Sequence, residues 1–242
     1  MPEGPSIYIL KEAASIFEGK EVTEVTGNTK EDKERLLHQK VLAFKTWGKH
    51  FLICFEGFTV RIHLLLFGTY RINERKDNPE RLRLQFSNGE LNLYGCSVKM
   101  IEGDINDSYD FTADVMNDKW DPKTAKKKLQ LIPKTLICDA LLKQEIFAGV
   151  GNIIKNEILY RIKVHPKSEV GKISTVKLNQ LIAEARNYSF DFLEWKKEYT
   201  LKKHWLAHTK KTCLRCNLPI IKEYLGVYKR RNFFCNKCQK IY

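Results

Sequence analysis

Four cysteines near the carboxyl end place the strongest constraint on how this chain can fold. They form two Cys-x2-Cys pairs, Cys213 with Cys216 and Cys235 with Cys238, and eighteen residues separate the pairs. Two such pairs can present four thiolates tetrahedrally to a single zinc ion. Because the protein would supply all four ligands, the pattern predicts one structural zinc per chain, holding a short hairpin and leaving no open position for catalysis.

The other cysteines point to a reducing environment. The chain has seven cysteines, and Cys54, Cys96 and Cys138 stand singly among apolar neighbours. An odd count with four members in close pairs is unlike the disulfide framework of a secreted protein, so we expect three buried thiols. The chain shows no signal-peptide pattern, lipidation motif or long apolar span, which favours a cytoplasmic protein without a membrane partner.

The charge balance favours a polyanionic partner. The 242 residues include 42 lysines and arginines against 29 aspartates and glutamates, a net charge of +13. The excess is concentrated between Lys210 and Tyr242, where nine basic residues accompany one acid, Glu223. The run Lys229-Arg230-Arg231 falls near the tip of the predicted hairpin. The pattern therefore predicts a hairpin that binds phosphates.

The amino terminus carries a second chemical signal. If Met1 is removed, Pro2 becomes a terminal secondary amine, whose pKa lies near ~8 rather than the ~10.4 of lysine. More of it is then neutral and nucleophilic at pH 7, and Glu3 beside it can act as a general acid or base. Apolar residues at helical spacing after Pro5 predict that a helix begins there. The alternative is a stiff leader before an ordinary helix.

Residues 20–94 have the pattern of an antiparallel sheet. Runs at 41–47, 51–55 and 58–64 predict strands. The clearest hairpin alternates apolar and polar residues through 82–86, turns at Asn88-Gly89 and resumes at Leu91, with one face packed and the other basic. We therefore expect a β-sandwich or barrel-like domain that ends near residue 100.

The second half has a helical period. A polar stretch at 102–130 indicates a domain junction, and a helix is predicted from Pro133 to just before Gly149. Asn152 stands where a helix cap belongs, and two further helices follow. The turn Gly149-Val-Gly-Asn152 lets a backbone approach a phosphate, although glycine helix caps are the ordinary alternative. The expected fold is α+β, with a β-sandwich domain (1–115), a helical domain (116–204) and a zinc finger (205–242).

These motifs resemble, in content and in order, the family of formamidopyrimidine-DNA glycosylases and endonuclease VIII, whose helical domain is a helix–two-turn–helix. Five motifs carry the resemblance across nearly the whole chain: Pro2 to Pro5, Lys49 within Trp47 to Leu52, His63 to Gly68, Gly149 to Leu159, and the four cysteines with Arg230 to Cys235. Each motif alone is weak evidence, but five in the family's order are specific.

The resemblance implies a bifunctional base-excision repair enzyme. In it, Pro2 would attack C1′ of a damaged, flipped-out nucleotide, and Glu3 would assist sugar ring opening. The resulting iminium would promote β,δ-elimination of the strand. Lys49 and Arg230 would hold phosphates around the lesion. The implied partner is double-stranded DNA that contains damaged bases or abasic sites, bound by a monomer in a bacterial-type nucleoid.

The resemblance also implies further DNA contacts. Asn152 would hold a phosphate, and Leu65, Leu66 and Phe67 would form a wedge that enters the space left by the flipped base. The alternative for the wedge is ordinary strand core, but four consecutive apolar residues are too many for an alternating face. Arg231 lies beside Arg230, so either could reach the phosphate.

Two features bear on the substrate. Purine-directed members have a long, glycine-containing loop before the finger, whereas residues 195–212 here are lysine-rich and free of glycine. The Leu-Leu-Phe wedge is also more similar to endonuclease VIII, so we expect oxidised pyrimidines such as thymine glycol and dihydrouracil. Lys143 departs from the family, which usually has an acidic residue there.

Three alternatives remain open on the sequence. The first is a purine-directed glycosylase acting on 8-oxoguanine or formamidopyrimidine. The second is a catalytically inactive protein on the same scaffold that binds damaged DNA. The third, a zinc-ribbon protein that binds RNA or the ribosome, would have no use for a Pro-Glu terminus.

Overall fold

The computed structural model describes residues 2–242, so the expected removal of Met1 lies outside it. The chain divides into two compact units, one ending at Asp110 and the other beginning at Phe111. This boundary lies inside the predicted junction. The helical region and the cysteine hairpin share the second unit, and their separation into two domains stays a prediction.

The first unit contains one six-stranded antiparallel sheet and a leading helix. Its elements are α1 (Gly4–Ala14), β1 (Glu24–Thr26), β2 (Ala43–Trp47), β3 (His50–Cys54), β4 (Phe58–Ile72), β5 (Leu82–Phe86), β6 (Gly89–Glu102) and the short α2 (Ile105–Ser108). The strand order is β1-β5-β6-β4-β3-β2. The predicted leading helix and antiparallel sheet are confirmed.

The long pair β4 and β6 holds this sheet together. A register shift between Leu64 and Thr69 interrupts their pairing. On one side of it, β3 and β2 extend the sheet beyond β4; on the other, β5 and β1 extend it beyond β6. The result is two four-stranded halves that share the long pair. Residues of both halves and of α1 belong to a single hydrophobic core, in which Phe17 stacks on Phe86 at 4.5 Å.

Two details of the strands differ from the sequence prediction. The strand expected at 58–64 continues to Ile72, because the irregularity after Leu64 lets the chain rejoin β6 at Thr69. The hairpin turn is Ser87-Asn88, one residue earlier than predicted, since Phe86 pairs with Gly89.

The face opposite the core is not simply basic, as the sequence suggested. Arg83 is buried there and pairs with Glu24 and Glu90, and Glu90 also pairs with Arg75 at 2.7 Å. Hydrogen bonding from Arg75 is the main cause that lowers the pKa of Glu90 to about 2. The arginines of this hairpin are thus partly committed to ion pairs within the unit.

The second unit combines five helices with a two-stranded hairpin. Its elements are α3 (Pro122–Gln130), α4 (Ile137–Ala140), α5 (Gln144–Phe147), α6 (Asn152–Arg161), α7 (Thr175–Lys197), β7 (Ile221–Leu225) and β8 (Arg230–Phe234). The region expected to be a polar junction contains α2 and α3, and Asp121 caps α3 by accepting a hydrogen bond from the Lys123 amide. Across residues 2–242, no helix is both long enough and apolar enough to span a membrane.

The helix predicted from Pro133 to Gly149 is two short helices. Lys143 separates them, because its extended backbone (φ −71°, ψ 108°) lies outside the helical region and an α-helix cannot continue through it. The Lys143 ammonium lies 3.3 Å from a Glu145 carboxylate oxygen. The helix–two-turn–helix region therefore begins with two single turns of helix before the long α6.

Candidate functional site

Pro2 and Glu3 stand at the start of α1. The Glu3 carbonyl accepts a hydrogen bond from the Ser6 amide at 2.8 Å, which places Glu3 at the cap position of the helix. The Glu3 side chain is fully buried (0% exposed), whereas Pro2 is partly exposed. Pro5 lies in the first turn, as predicted. A buried carboxyl group is thus fixed next to an accessible proline ring.

Lys49 lies in the turn between β2 and β3, next to a cluster of rings that the sequence analysis missed. His50 and His63 are opposite each other on β3 and β4, with ring centroids 5.3 Å apart. The Tyr109 hydroxyl lies 3.1 Å from His50 Nδ1. Burial, reinforced by the charge of Arg61, lowers the pKa of His50 to about 4, and burial also lowers the pKa of His63. Both rings are therefore neutral at pH 7.

Leu65, Leu66 and Phe67 lie in the irregular part of β4 and point to solvent. Their exposed fractions are 50%, 55% and 87%. Gly68 follows directly and lies so close to the Gly95 backbone that a Cβ there would be 2.7 Å from the Gly95 carbonyl oxygen. The three side chains are therefore not strand core, and they form an exposed apolar group on the surface of the first unit.

The N-terminal turn of α6 carries buried polar residues that the sequence analysis also missed. Lys155 is 0% exposed, and its ammonium donates to Asn152 Oδ1 at 2.9 Å and to the Arg231 carbonyl at 3.4 Å. The side-chain nitrogen of Asn156 donates to the backbone carbonyl of Asn152 at 2.8 Å. The side-chain oxygen of Asn156 accepts a hydrogen bond from the backbone amide of Phe233 at 3.2 Å. These contacts join α6 to β8.

Glu157, the next residue, holds the segment before the finger. Its buried carboxylate accepts hydrogen bonds from the amides of Leu206, Ala207 and His208 at 2.8, 2.9 and 2.7 Å. Burial raises the pKa of Glu157, and the three amides oppose that rise. Three consecutive polar residues inside a helix flanked by isoleucines were the available signal for this network.

Asn152 does not cap α6, contrary to the prediction. Gly151 occupies the cap position with an extended backbone, and Asn152 is the first helical residue. Its side-chain oxygen accepts from Lys155 instead of satisfying a backbone amide. The local sequence favoured the cap because asparagine is common there, but the buried lysine one turn later competes for the same oxygen.

Arg230 and Arg231 are both exposed at the start of β8 rather than in the turn itself, but their environments differ. The Arg231 guanidinium donates to the Tyr224 hydroxyl at 2.8 and 3.2 Å. Among residues 2–242, the Arg230 guanidinium has no hydrogen bond or ion pair. Successive strand residues point to opposite faces, so the two side chains serve different surfaces.

The four predicted metal ligands come together in space. All four Sγ atoms lie within 4.8 Å of one another, with Cys213 and Cys238 3.8 Å apart and Cys216 and Cys235 3.5 Å apart. A tetrahedral ZnS4 site with Zn–S bonds of about 2.3 Å has S–S edges of about 3.8 Å, so the cluster fits a zinc ion. The Tyr160 hydroxyl lies 3.2 Å from Cys213 Sγ and can donate to its thiolate.

The remaining cysteines are buried, as predicted. Burial raises the pKa of Cys96 to about 12 and that of Cys138 to about 11, and it also raises the pKa of Cys54. Thiols with such high pKa values are poor nucleophiles at pH 7. These three residues are therefore structural.

Comparison with known proteins identifies the family. Residues 1–96 match the family model for the formamidopyrimidine-DNA glycosylase N-terminal domain. Residues 111–197 match that for the formamidopyrimidine-DNA glycosylase H2TH domain. The chain belongs to the formamidopyrimidine-DNA glycosylase and endonuclease VIII family. The matched ranges contain Pro2, Glu3, Lys49, Leu65 to Phe67 and Asn152, while the cysteine hairpin lies outside them.

Relatives from both branches of this family are similar to the chain. Endonuclease 8-like 3 of Xenopus laevis is 29% identical over 81% of this chain and 34% of its own length. Bovine endonuclease 8-like 2 is 30% identical over 72% of this chain and 56% of its own length. Formamidopyrimidine-DNA glycosylase of Carboxydothermus hydrogenoformans is 25% identical over 99% of this chain and all of its own length. The chain thus spans about a third of the endonuclease 8-like 3 proteins that it matches.

Solved structures of the family share the fold. The Lactococcus lactis formamidopyrimidine-DNA glycosylase bound to DNA containing an abasic site superposes with a TM-score of 0.85 at 20% identity. The match covers 98% of this chain and 99% of that one. A viral DNA glycosylase gives the same TM-score and identity over 98% of this chain and 100% of its own.

Proposed function

We propose that this protein is a base-excision repair DNA glycosylase with abasic-site lyase activity, and that Pro2 is its nucleophile. The observation that carries the proposal is the fully buried Glu3 carboxyl group, fixed at the start of α1 beside a partly exposed Pro2. Family membership supports it. One relative, from Mycolicibacterium smegmatis, is named DNA-(apurinic or apyrimidinic site) lyase Nei2 and is 27% identical over 72% of this chain and 71% of its own length.

The proposed reaction begins when Pro2, freed of Met1, attacks C1′ of a nucleotide that has left the base stack. The bond from C1′ to the damaged base breaks, and the base leaves with the bonding electrons and takes up the proton that the Pro2 nitrogen releases. Glu3 donates a proton to the ring oxygen, so the sugar opens and an iminium forms between Pro2 and C1′. Loss of a proton from C2′ then breaks the C3′–O bond, and a second elimination breaks the C5′–O bond.

The proposed DNA contacts use cations and polar groups of both units. Lys49, Arg230 and Asn152 hold phosphates. Arg230 is preferred to Arg231 as the principal phosphate ligand, because the Arg231 guanidinium already donates to Tyr224. We propose that Arg231, on the opposite face of β8, makes a weaker contact with the DNA.

The wedge of Leu65, Leu66 and Phe67 fills the space left by the flipped base. The exposure of these side chains supports this role, since exposed apolar side chains can insert between bases and so leave water. We also propose that the protein acts as a monomer on double-stranded DNA in the cytoplasm.

We propose zinc as the metal of the cysteine cluster. Zinc held by four thiolates has no open position, so its contribution is to fix the hairpin and not to activate a reactant. The cysteines lie on either side of β7 and β8, and this placement supports a structural role. The spacing of the sulfur atoms suits this ion.

We propose oxidised pyrimidines as the substrates. The glycine-free segment before the finger supports this choice, because Glu157 holds residues 206–208 by three hydrogen bonds and leaves little chain for a long cap. Purine-directed members of the family use such a cap over an oxidised guanine. The Leu-Leu-Phe sequence of the wedge also supports oxidised pyrimidines, because it is more similar to endonuclease VIII than to the purine-directed members.

The test is a cleavage assay on duplexes that each carry one defined lesion. Thymine glycol and dihydrouracil duplexes should be cut faster than 8-oxoguanine opposite cytosine, and undamaged DNA should remain intact. The reverse order would favour the purine-directed alternative. Binding to every lesion without cleavage would favour the inactive damage-binding alternative, and Glu3→Gln provides the matched inactive control.

A further inference from the structure

The turn that joins β7 to β8, residues 226–229, is anchored to a helix far away in sequence. Asp139 in α4 is only 3% exposed, and its Oδ2 accepts a hydrogen bond from the Val227 amide at 2.9 Å. We call residues 226–229 the finger tip. A buried carboxylate that accepts a backbone hydrogen bond forms a strong contact, because the amide compensates for the loss of water around the charge.

Gly226 shows how closely the finger tip fits Asp139. Its φ is +72°, a conformation that favours glycine, and a Cβ at this position would collide with both carboxylate oxygens of Asp139. Lys229, at the other end of the tip, also has a positive φ of 45°. The tip therefore has a specific backbone shape that matches the carboxylate.

The metal cluster and Asp139 hold opposite ends of the hairpin. Cys235 follows directly after β8, so the cluster fixes the base of the hairpin. Arg230 follows directly after the finger tip and pairs with Leu225 across the ladder. Five residues of strand, about 17 Å, separate the tip from the base. The contacts of α6 with the Arg231 carbonyl and the Phe233 amide hold the middle of β8, so the turn that precedes Arg230 depends on its own contact with Asp139.

We propose that Asp139 is a positioning residue for Arg230. By holding the Val227 amide, it fixes the finger tip and therefore the direction in which the Arg230 guanidinium approaches a phosphate. Asp139 is buried and does not itself touch DNA. A guanidinium that is oriented before binding loses less conformational entropy on binding. The inference rests on the proposed function, in which Arg230 binds a phosphate.

Affinity for a duplex with a stable abasic-site analogue tests this proposal. Arg230→Ala should weaken binding roughly tenfold or more, as expected for a lost hydrogen bond to a charged group. Asp139→Ala should weaken it by a similar factor, and the double variant should be no weaker than Arg230→Ala alone. Asp139→Asn retains an oxygen acceptor for Val227 and should recover most of the affinity.

Controls separate positioning from general instability. Zinc content should remain at one ion per chain in Asp139→Ala, while the Val227 amide should exchange its hydrogen faster in the DNA-free protein. Gly226→Ala, which places a methyl group against Asp139, should reproduce the loss of affinity. Asp121→Ala removes a carboxylate that accepts a backbone hydrogen bond on α3 and should leave affinity unchanged.

The possible failures are distinguishable. Full affinity in Asp139→Ala and Gly226→Ala, beside weakened Arg230→Ala, would overturn the positioning role alone. Additive losses in the double variant would do the same, because they would show that Asp139 acts independently of Arg230. Full affinity in Arg230→Ala would overturn the phosphate role of Arg230 and, with it, the role of Asp139.

Discussion

The Lys155 ammonium lies 2.9 Å from the side-chain oxygen of Asn152, in a position closed to solvent. An ammonium group has three donors and no acceptor, so the atom of the Asn152 amide that faces it must be the oxygen. The NH2 group of Asn152 is thereby directed away from Lys155 and remains a donor. The buried lysine thus leaves the NH2 end of the amide available, and this is the end that the proposed phosphate contact requires.

Lys155→Met should therefore weaken DNA binding although Lys155 itself is buried. We expect roughly a tenfold loss of affinity, similar to that of Asn152→Ala, because a hydrogen bond to a charged group contributes about 1.5–3 kcal/mol. Fluorescence anisotropy with a duplex that contains an abasic-site analogue measures the affinity of each variant. The double variant should bind like Asn152→Ala, and surface Lys172→Met is the control. Additive losses would contradict the orienting role and would assign the effect of Lys155 to its second contact, the Arg231 carbonyl.

Replacing each of the two arginines of β8 should change the salt dependence of DNA binding by a different amount. Arg230→Ala should reduce the slope of log affinity against log salt by roughly 0.9, the value for one lost phosphate contact. Arg231→Ala should change it less, because that guanidinium is held by Tyr224. Titrations at several salt concentrations measure both slopes. The opposite ranking would move the principal phosphate contact to Arg231.

Metal analysis should find one zinc ion per chain. Cys235→Ser should lose the ion, DNA binding and cleavage, while the sheet of the first unit stays folded because it has its own core. Cys54→Ala, at a cysteine outside the cluster, should keep the metal. A wild-type protein without zinc, or normal cleavage by Cys235→Ser, would contradict the structural assignment.

Stability should fall as the pH is lowered from about 6.5 towards 4. Burial lowers the pKa of His50 to about 4, so in this range the unfolded chain takes up a proton that the folded state excludes. His63, whose pKa is also lowered, contributes in the same direction. Urea unfolding of His50→Phe should show a smaller difference between pH 7 and pH 5 than the wild type. If the stability changes equally between pH 7 and pH 5 in both proteins, His50 is not the origin of the pH dependence. The control is His38→Gln, because the His38 side chain is exposed.

Local patterns were sufficient to predict several parts of the fold and site. The helix after Pro5, the strand at 82–86 and the clustering of four cysteines follow from capping, alternation and ligand spacing, which act over short distances. The exposure of Phe67 was also predictable, since four consecutive apolar residues cannot all face one core. The course of β4 beyond this point was not, because it depends on the close approach of Gly68 to Gly95.

The run of polar residues at 155–157 was a visible signal of a polar network in α6, but the partners of these residues could not be derived from the sequence. Lys155 and Glu157 find partners at Arg231 and at residues 206–208, far along the chain, and no local pattern identifies such partners. The same holds for Asp139 and Val227. From the sequence these positions look like ordinary helix residues, because helical patterns involve only neighbours within a turn or two.

Borohydride trapping tests whether Pro2 forms an iminium with C1′. Borohydride added during cleavage of an abasic-site duplex should reduce the iminium and link protein to DNA covalently. In a variant for comparison, an uncleavable extension precedes Met1, so Met1 is retained and the Pro2 nitrogen stays in a peptide bond. This variant should still bind DNA but lose both trapping and strand cleavage. Full trapping and cleavage with the terminus blocked would exclude Pro2 and make a lysine, with Lys49 the first candidate, the nucleophile.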